Sequence, residues 1–175
     1  MVLALSSPLS YGRRHDDGDA HRLSANSHWL AALRIYIVTT LVGNTVWEVV
    51  QLPLFTIWSN GTPREIIFAV VHCIGGDFMI ATVSLIAALL LVGARGWPNK
   101  RFITVMIAAL VMGLGYTVYS EWVNTVIRQT WAYSDLMPKL PIFGTGLSPL
   151  LQWIVVPSLG FAAISYFLRT SPSPN

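Results

Sequence analysis

Charge is the scarcest property of this chain. Only 11% of its 175 residues are Asp, Glu, Lys or Arg, while 54% are hydrophobic; soluble domains carry about 25% charged residues. Mean hydropathy is +0.58, and long runs contain no Lys or Arg. An ordinary soluble domain is thereby excluded, and an integral membrane protein is expected. Cysteine is also nearly missing: the single Cys73 rules out an internal disulfide and leaves the redox compartment unread. No internal repeat or low-complexity tract is present, so nothing suggests the inverted halves of many transporters. No Ser–His pair has nucleophile-elbow spacing, which removes support for serine-type hydrolysis. The formal charge of +3 is scattered in short segments between apolar runs. It forms no basic stripe with interleaved aromatics, and nucleic acid is excluded as a partner.

What the chain does have is four apolar segments long enough to span. A spanning helix needs about 20 apolar residues, and these segments run over about residues 30–57, 66–92, 102–127 and 147–168. The ten-residue alternation of a closed barrel is absent. The expected fold class is all-α: an integral membrane four-helix bundle, with Pro53 and Pro157 kinking the first and fourth helices. Residues 1–28, with Arg13, Arg14, Asp16, Asp17, Asp19 and Arg22, read as a mobile tail. Charge follows the short apolar stretch Met1–Leu9 rather than preceding it, the reverse of a signal peptide, so no cleavage is expected. Residues 128–146 contain two prolines, two glycines, Trp131, Tyr133, Met137 and Phe143. They read as a folded cap on one end of the bundle, and 170–175 as a short tail.

Basic residues set the expected orientation. Arg13, Arg14, Arg22, Arg34, Arg95, Lys100, Arg101 and Arg169 fall on one side of a four-span chain, and Arg64, Arg128 and Lys139 on the other. The positive-inside rule then places both termini in the cytoplasm. Trp29 and Trp97 are expected as inner interface anchors, Trp58 and Trp131 as outer ones.

Polar residues break the apolar spans in a pattern. A carboxylate at bilayer depth costs at least a few kcal/mol unless paired, protonated or hydrated, yet Glu48, Asp77 and Glu121 all lie within spans. At 100° per residue, Asn44, Glu48 and Gln51 share one helix face, as do Thr117, Glu121, Asn124 and Arg128, and Ser148 and Gln152. His72 and Asp77, five residues apart, are about 140° from each other around their helix. Counted from span ends, Glu48, His72, Glu121 and Gln152 lie roughly 8 to 14 Å below the outer boundary, with Asn44 and Asp77 deeper. The opposite halves, such as 80–92 and 102–112, are almost wholly apolar. An outer-leaflet polar pocket with an apolar floor is expected. Glu48, Gln51, Asn124 and Gln152 could simply hydrogen-bond across helices and fix register, and for the amides among them that is the plainer expectation. Arg128, two turns beyond Glu121, is an expected ion-pair partner for it.

Three kinds of function fit those residues. The first is acid–base chemistry on, or binding of, a lipid or isoprenoid. Glu48 or Asp77 would be the acid, Glu121 or His72 the base, and Trp47, Trp122 and Trp153 pocket walls able to shield a developing cation. The second is a metal or small-solute site built from His72, Glu48, Asp77 and Glu121, although their spacing matches no metal motif. The third is an accessory or assembly subunit of a larger membrane complex, with Ala109 and Gly113 as a small-xxx-small contact. The residues leave the cofactor unknown.

The stretches Trp47-Glu48-x-x-Gln51-Leu52-Pro53, His72-Cys73-x-x-Gly76-Asp77, Ser120-Glu121-Trp122-x-Asn124, Trp131-x-Tyr133-Ser134 and Gly146-Leu147-Ser148-Pro149 resemble those of small bacterial multi-pass inner-membrane proteins of unknown function. The resemblance covers most of the chain after residue 28. It implies a bacterial cytoplasmic membrane and no particular activity. A looser similarity is to sterol-isomerase-like and membrane terpene-cyclase proteins, which also set Glu beside Trp in compact bundles. Their five or more spans and their motif order are not reproduced here.

Overall fold

The computed structural model describes residues 11–93, 95–141 and 144–171, with side chains from residue 28 onward. Five α-helices make up the described part, with no strand among the described residues: α1 (Tyr11–Gln51), a short α2 (Ile57–Asn60), α3 (Pro63–Val92), α4 (Phe102–Trp122) and α5 (Leu147–Thr170). Four stretches are long and apolar enough to cross a membrane: His28–Leu54, Pro63–Val92, Phe102–Ile127 and Leu147–Thr170.

The ends of these helices follow from local chemistry. Pro53 ends the first helix rather than kinking it: α1 stops at Gln51 and tightens into a 3-10 turn, Leu52–Leu54. Proline has no N–H to continue the ladder. α3 starts on a capping box. Thr62 Oγ1 accepts from the Glu65 N–H at 3.4 Å, and the Glu65 carboxylate accepts from the Thr62 N–H at 2.8 Å, with Pro63 in the first turn. α4 unwinds into a π-helical turn, Val123–Ile127. Pro157 sits inside α5 and is buried. At the other end of the chain, residues 11–28 continue α1 as helical backbone. Residues 1–10 and 172–175, parts of the two expected tails, lie outside the described residues.

α1 packs against α3 and α5, and α4 also packs against α3 and α5, so the helices form a square with α3 and α5 on one diagonal. The His28 ring meets Phe167 edge-on at 6.4 Å, which puts the start of the first span beside the end of the last. At this terminal end, Ala32, Tyr36, Leu85, Ala88, Val105, Phe161 and Ile164 form an apolar core. Trp97 belongs to that core at 3% exposure, buried rather than anchoring an interface. Glycines set the closest approaches. A Cβ on Gly43 would lie 2.8 Å from Val156, one on Gly160 2.9 Å from Tyr36, and one on Gly113 2.6 Å from Trp153. Ala109 and Gly113 are thus used inside the bundle, leaving no free small-residue face there for a partner.

Candidate functional site

At the far end, the buried residues of the bundle turn polar. α1 contributes Asn44, Glu48 and Gln51, α4 contributes Thr117 and Glu121, and α5 contributes Gln152, all buried. Each set falls where a 3.6-residue period places it on the inward face.

Gln152 is the hub. Its amide Nε2 lies 3.2 Å from Asn44 Oδ1, 3.1 Å from Glu48 Oε1 and 2.9 Å from Asp77 Oδ2. It therefore reaches α1 and, across the diagonal, α3. Gln51 Nε2 donates to Glu48 Oε1 at 2.7 Å and to Gln152 Oε1 at 3.2 Å. The chain of bonds continues outward: Ser148 Oγ donates to Gln51 Oε1 at 2.9 Å and accepts from the Trp47 indole at 3.1 Å. The carboxyl groups of Glu48 and Asp77 lie within hydrogen-bond range of each other, and the Cys73 thiol sits beside Glu48. No Lys or Arg is among the buried polar side chains of the described residues. Acceptors outnumber donors here: an amide NH2 has two hydrogens, and three oxygens crowd the one on Gln152.

Glu121 stands on the opposite corner and has its own partner. The Tyr133 hydroxyl donates to Glu121 Oε2, and the Trp131 indole lies beside the same carboxylate, outside hydrogen-bonding geometry. Both aromatics come from the connection between α4 and α5. That connection is held to the elbow after α1. The Thr56 N–H donates to Ala132 O at 3.0 Å, the Ser134 N–H to Leu54 O at 2.9 Å, and Ser134 Oγ to Pro53 O at 2.9 Å. Tyr133 stacks obliquely on Phe55 at 5.5 Å, and Lys139 Nζ lies 5.7 Å from its ring centre. Burial, and then the neighbouring Glu121 carboxylate, raise the Tyr133 phenol above its ordinary range.

Several expected members do not join. His72 is exposed and stacks on Phe68 at 5.7 Å; the 140° offset from Asp77 turns it away from the cluster, and Cys73 takes the inward position. Arg128 is exposed past the π-helical turn, so Glu121 pairs with a phenol instead of a guanidinium. Trp122 is 39% exposed, one step around the helix from the inward face. Asn124 serves its own neighbourhood: its amide donates to Ser120 O at 2.9 Å, and its Oδ1 accepts from Thr130 at 2.9 Å. Trp153 is buried against Gly113. Among the described residues, no three His, Cys, Asp or Glu side chains converge as a metal site. Ser148 joins from the α5 face it shares with Gln152, while Tyr133 and Trp131 complete the site without any periodic signal, because loop contacts leave no trace in helical spacing.

No protein-family model, curated protein or solved structure matches the chain. The resemblance carried by the Trp47–Pro53 and Ser120–Asn124 stretches therefore gains no family from these comparisons.

Proposed function

We propose that the polar end of the bundle is a membrane-embedded acid–base site. One observation carries this reading: Glu48 and Asp77 are in contact with each other and share Gln152 as donor, and among the described residues no Lys or Arg is buried with them. Two ionised carboxylates cannot hydrogen-bond to each other, whereas a pair with one proton can. Asp77, deeper in the bundle, is the acid of the pair and Glu48 its conjugate partner. Glu121, held by Tyr133, is the second base. The substrate class that suits a proton donor within the bilayer is a lipid or isoprenoid, whose apolar part stays in the acyl region while its reacting atom meets the carboxyls. The eight basic residues at the terminal end against three at the far end favour cytoplasmic termini. The site then belongs to the outer leaflet of a bacterial inner membrane.

Infrared spectroscopy of the purified protein in lipid tests the central feature. At neutral pH a protonated-carboxyl band is expected in the wild type and is lost in both Glu48→Gln and Asp77→Asn. Its absence from the wild type would refute the shared proton. Native mass spectrometry of the same sample reads any co-purified lipid or isoprenoid.

A further inference from the structure

Three of the four spanning helices bury residues along both halves, and α3 does not. α1 buries Asn44, Glu48 and Gln51 at the far end, α4 buries Gly113, Thr117 and Glu121, and α5 buries Leu150, Gln152 and Trp153. In α3 the buried residues are Ala81, Ser84, Leu85, Ala88 and Leu89, and none lies between Pro63 and Ile80. The glycines agree. Gly43, Gly113 and Gly160 each touch a facing helix so closely that a Cβ would clash, while Gly75 and Gly76 would meet nothing within 4 Å. Ile67, Phe68 and Val71 are 65%, 70% and 64% exposed. Along this arm the polar contacts to the frame of α1, α4 and α5 are made by Asp77, to Gln152 and Glu48, and by Cys73, beside Glu48. Helix pairs in membranes are held by close van der Waals packing and a few interhelical hydrogen bonds. The far half of α3 has little of the first and depends on the second.

We propose that Pro63–Ile80 is a lateral gate: an arm anchored where packing begins at Ala81, latched by Asp77, whose outward swing opens the carboxyl cluster sideways to the acyl region of one leaflet. The latch and the proton-holding pair share a residue, so opening separates Asp77 from Glu48 and Gln152. The route suits a ligand already dissolved in the bilayer. The gate is independent of the acid–base reading, since a binding site with no chemistry would need the same entrance.

The test is a pair of spin-label distances across the same two helices, in a Cys73→Ala background. Labels at Ile67 and Ile127 report the far end, and labels at Leu91 and Ile103 the terminal end; all four positions are more than half exposed. Ile67 lies 14 residues from Ala81, about 21 Å along the helix, so a swing of about 10° moves it by about 4 Å. The expected result is a broad far-end distribution and a narrow terminal-end one in lipid. Asp77→Leu should lengthen only the far-end distance, by about that amount. Equally narrow distributions that Asp77→Leu leaves in place would overturn the gate. If Asp77→Leu disturbs both ends, Asp77→Ala decides, because it removes the acceptor that takes the Gln152 bond without adding bulk: a far-end shift alone supports the latch and no shift refutes it. Absence of the protonated-carboxyl band from the wild type, with the distances moving as expected, would refute the chemistry alone; the band present with both distances narrow and unmoved would refute the gate alone.

Discussion

Replacing Gln152 with leucine removes one side chain from three helices at once. The amide has two N–H donors, crowded by acceptors on Asn44, Glu48 and Asp77, and its carbonyl takes a bond from Gln51. Three effective bonds at about 0.6 kcal/mol each, the average for interhelical hydrogen bonds in a bilayer, amount to about 2 kcal/mol. Leucine fills much of the volume but leaves the carboxyls with fewer donors, and a buried polar group without a partner costs a further 1–3 kcal/mol or so. Gln152→Leu should therefore destabilise the bundle by about 3–5 kcal/mol. Reversible unfolding in mixed micelles, followed by far-ultraviolet circular dichroism, measures it. Gln152→Glu is the sharper companion. It keeps the shape but replaces a donor by an acceptor, so it should be destabilising at neutral pH and partly restored on acidification, as the introduced carboxyl gains a proton to donate. A loss below about 0.5 kcal/mol for Gln152→Leu, within the range of an inert surface change, would refute its role as the hub.

The Tyr133–Glu121 contact predicts an alkaline limb. The phenol must stay protonated to donate, and its folded value is raised. Its contribution is therefore complete below the unfolded value of about 10 and fades as pH climbs through the folded one. Thermal unfolding across pH 8–12 should show that limb in the wild type and a flatter profile in Tyr133→Phe; identical profiles would remove Tyr133 from the site's energetics. Alanine at Gly113 should cost about 1–3 kcal/mol by overpacking against Trp153, which is 3% exposed. Alanine at Gly75, where the space is open, should be neutral or stabilise by up to about 1 kcal/mol through helix propensity. The same unfolding assay separates the two, and equal costs would mean that α3 packs as tightly as its neighbours.

The polar faces of single helices were legible in the sequence because helical period alone decides them. Asn44, Glu48 and Gln51 needed only their spacing, and so did Thr117 with Glu121. The four spanning segments were equally plain from apolar run length, with Pro53 as the exception. It ends α1 rather than bending it, since proline brings no N–H to the ladder and the chain passes through a 3-10 turn into extended backbone at Phe55. What period cannot give is which of two offset residues on one helix turns inward. His72 and Asp77 compete for the interior, and the amides of α5 settle it for Asp77, whose oxygen can accept from Gln152. Nor does spacing reveal loop partners. Glu121 had an arginine two turns away on its own helix and took a tyrosine from the next connection, because the elbow of Leu54 and Thr56 hydrogen-bonds that connection over it.

The reach of Gln152 also bears on how the chain is made. Its partners Asp77 and Glu48 precede it by 75 and 104 residues. Both acids therefore leave the ribosome long before their donor exists. Until α5 arrives, the nascent chain holds them without that amide, a state that costs free energy at bilayer depth. Arrival of α5 relieves it, so the carboxyl cluster is completed only when α5 joins α1 and α3. A chain cut short before that helix would leave Asp77 without its amide donor and Glu48 with only Gln51, a ready mark for proteolytic disposal.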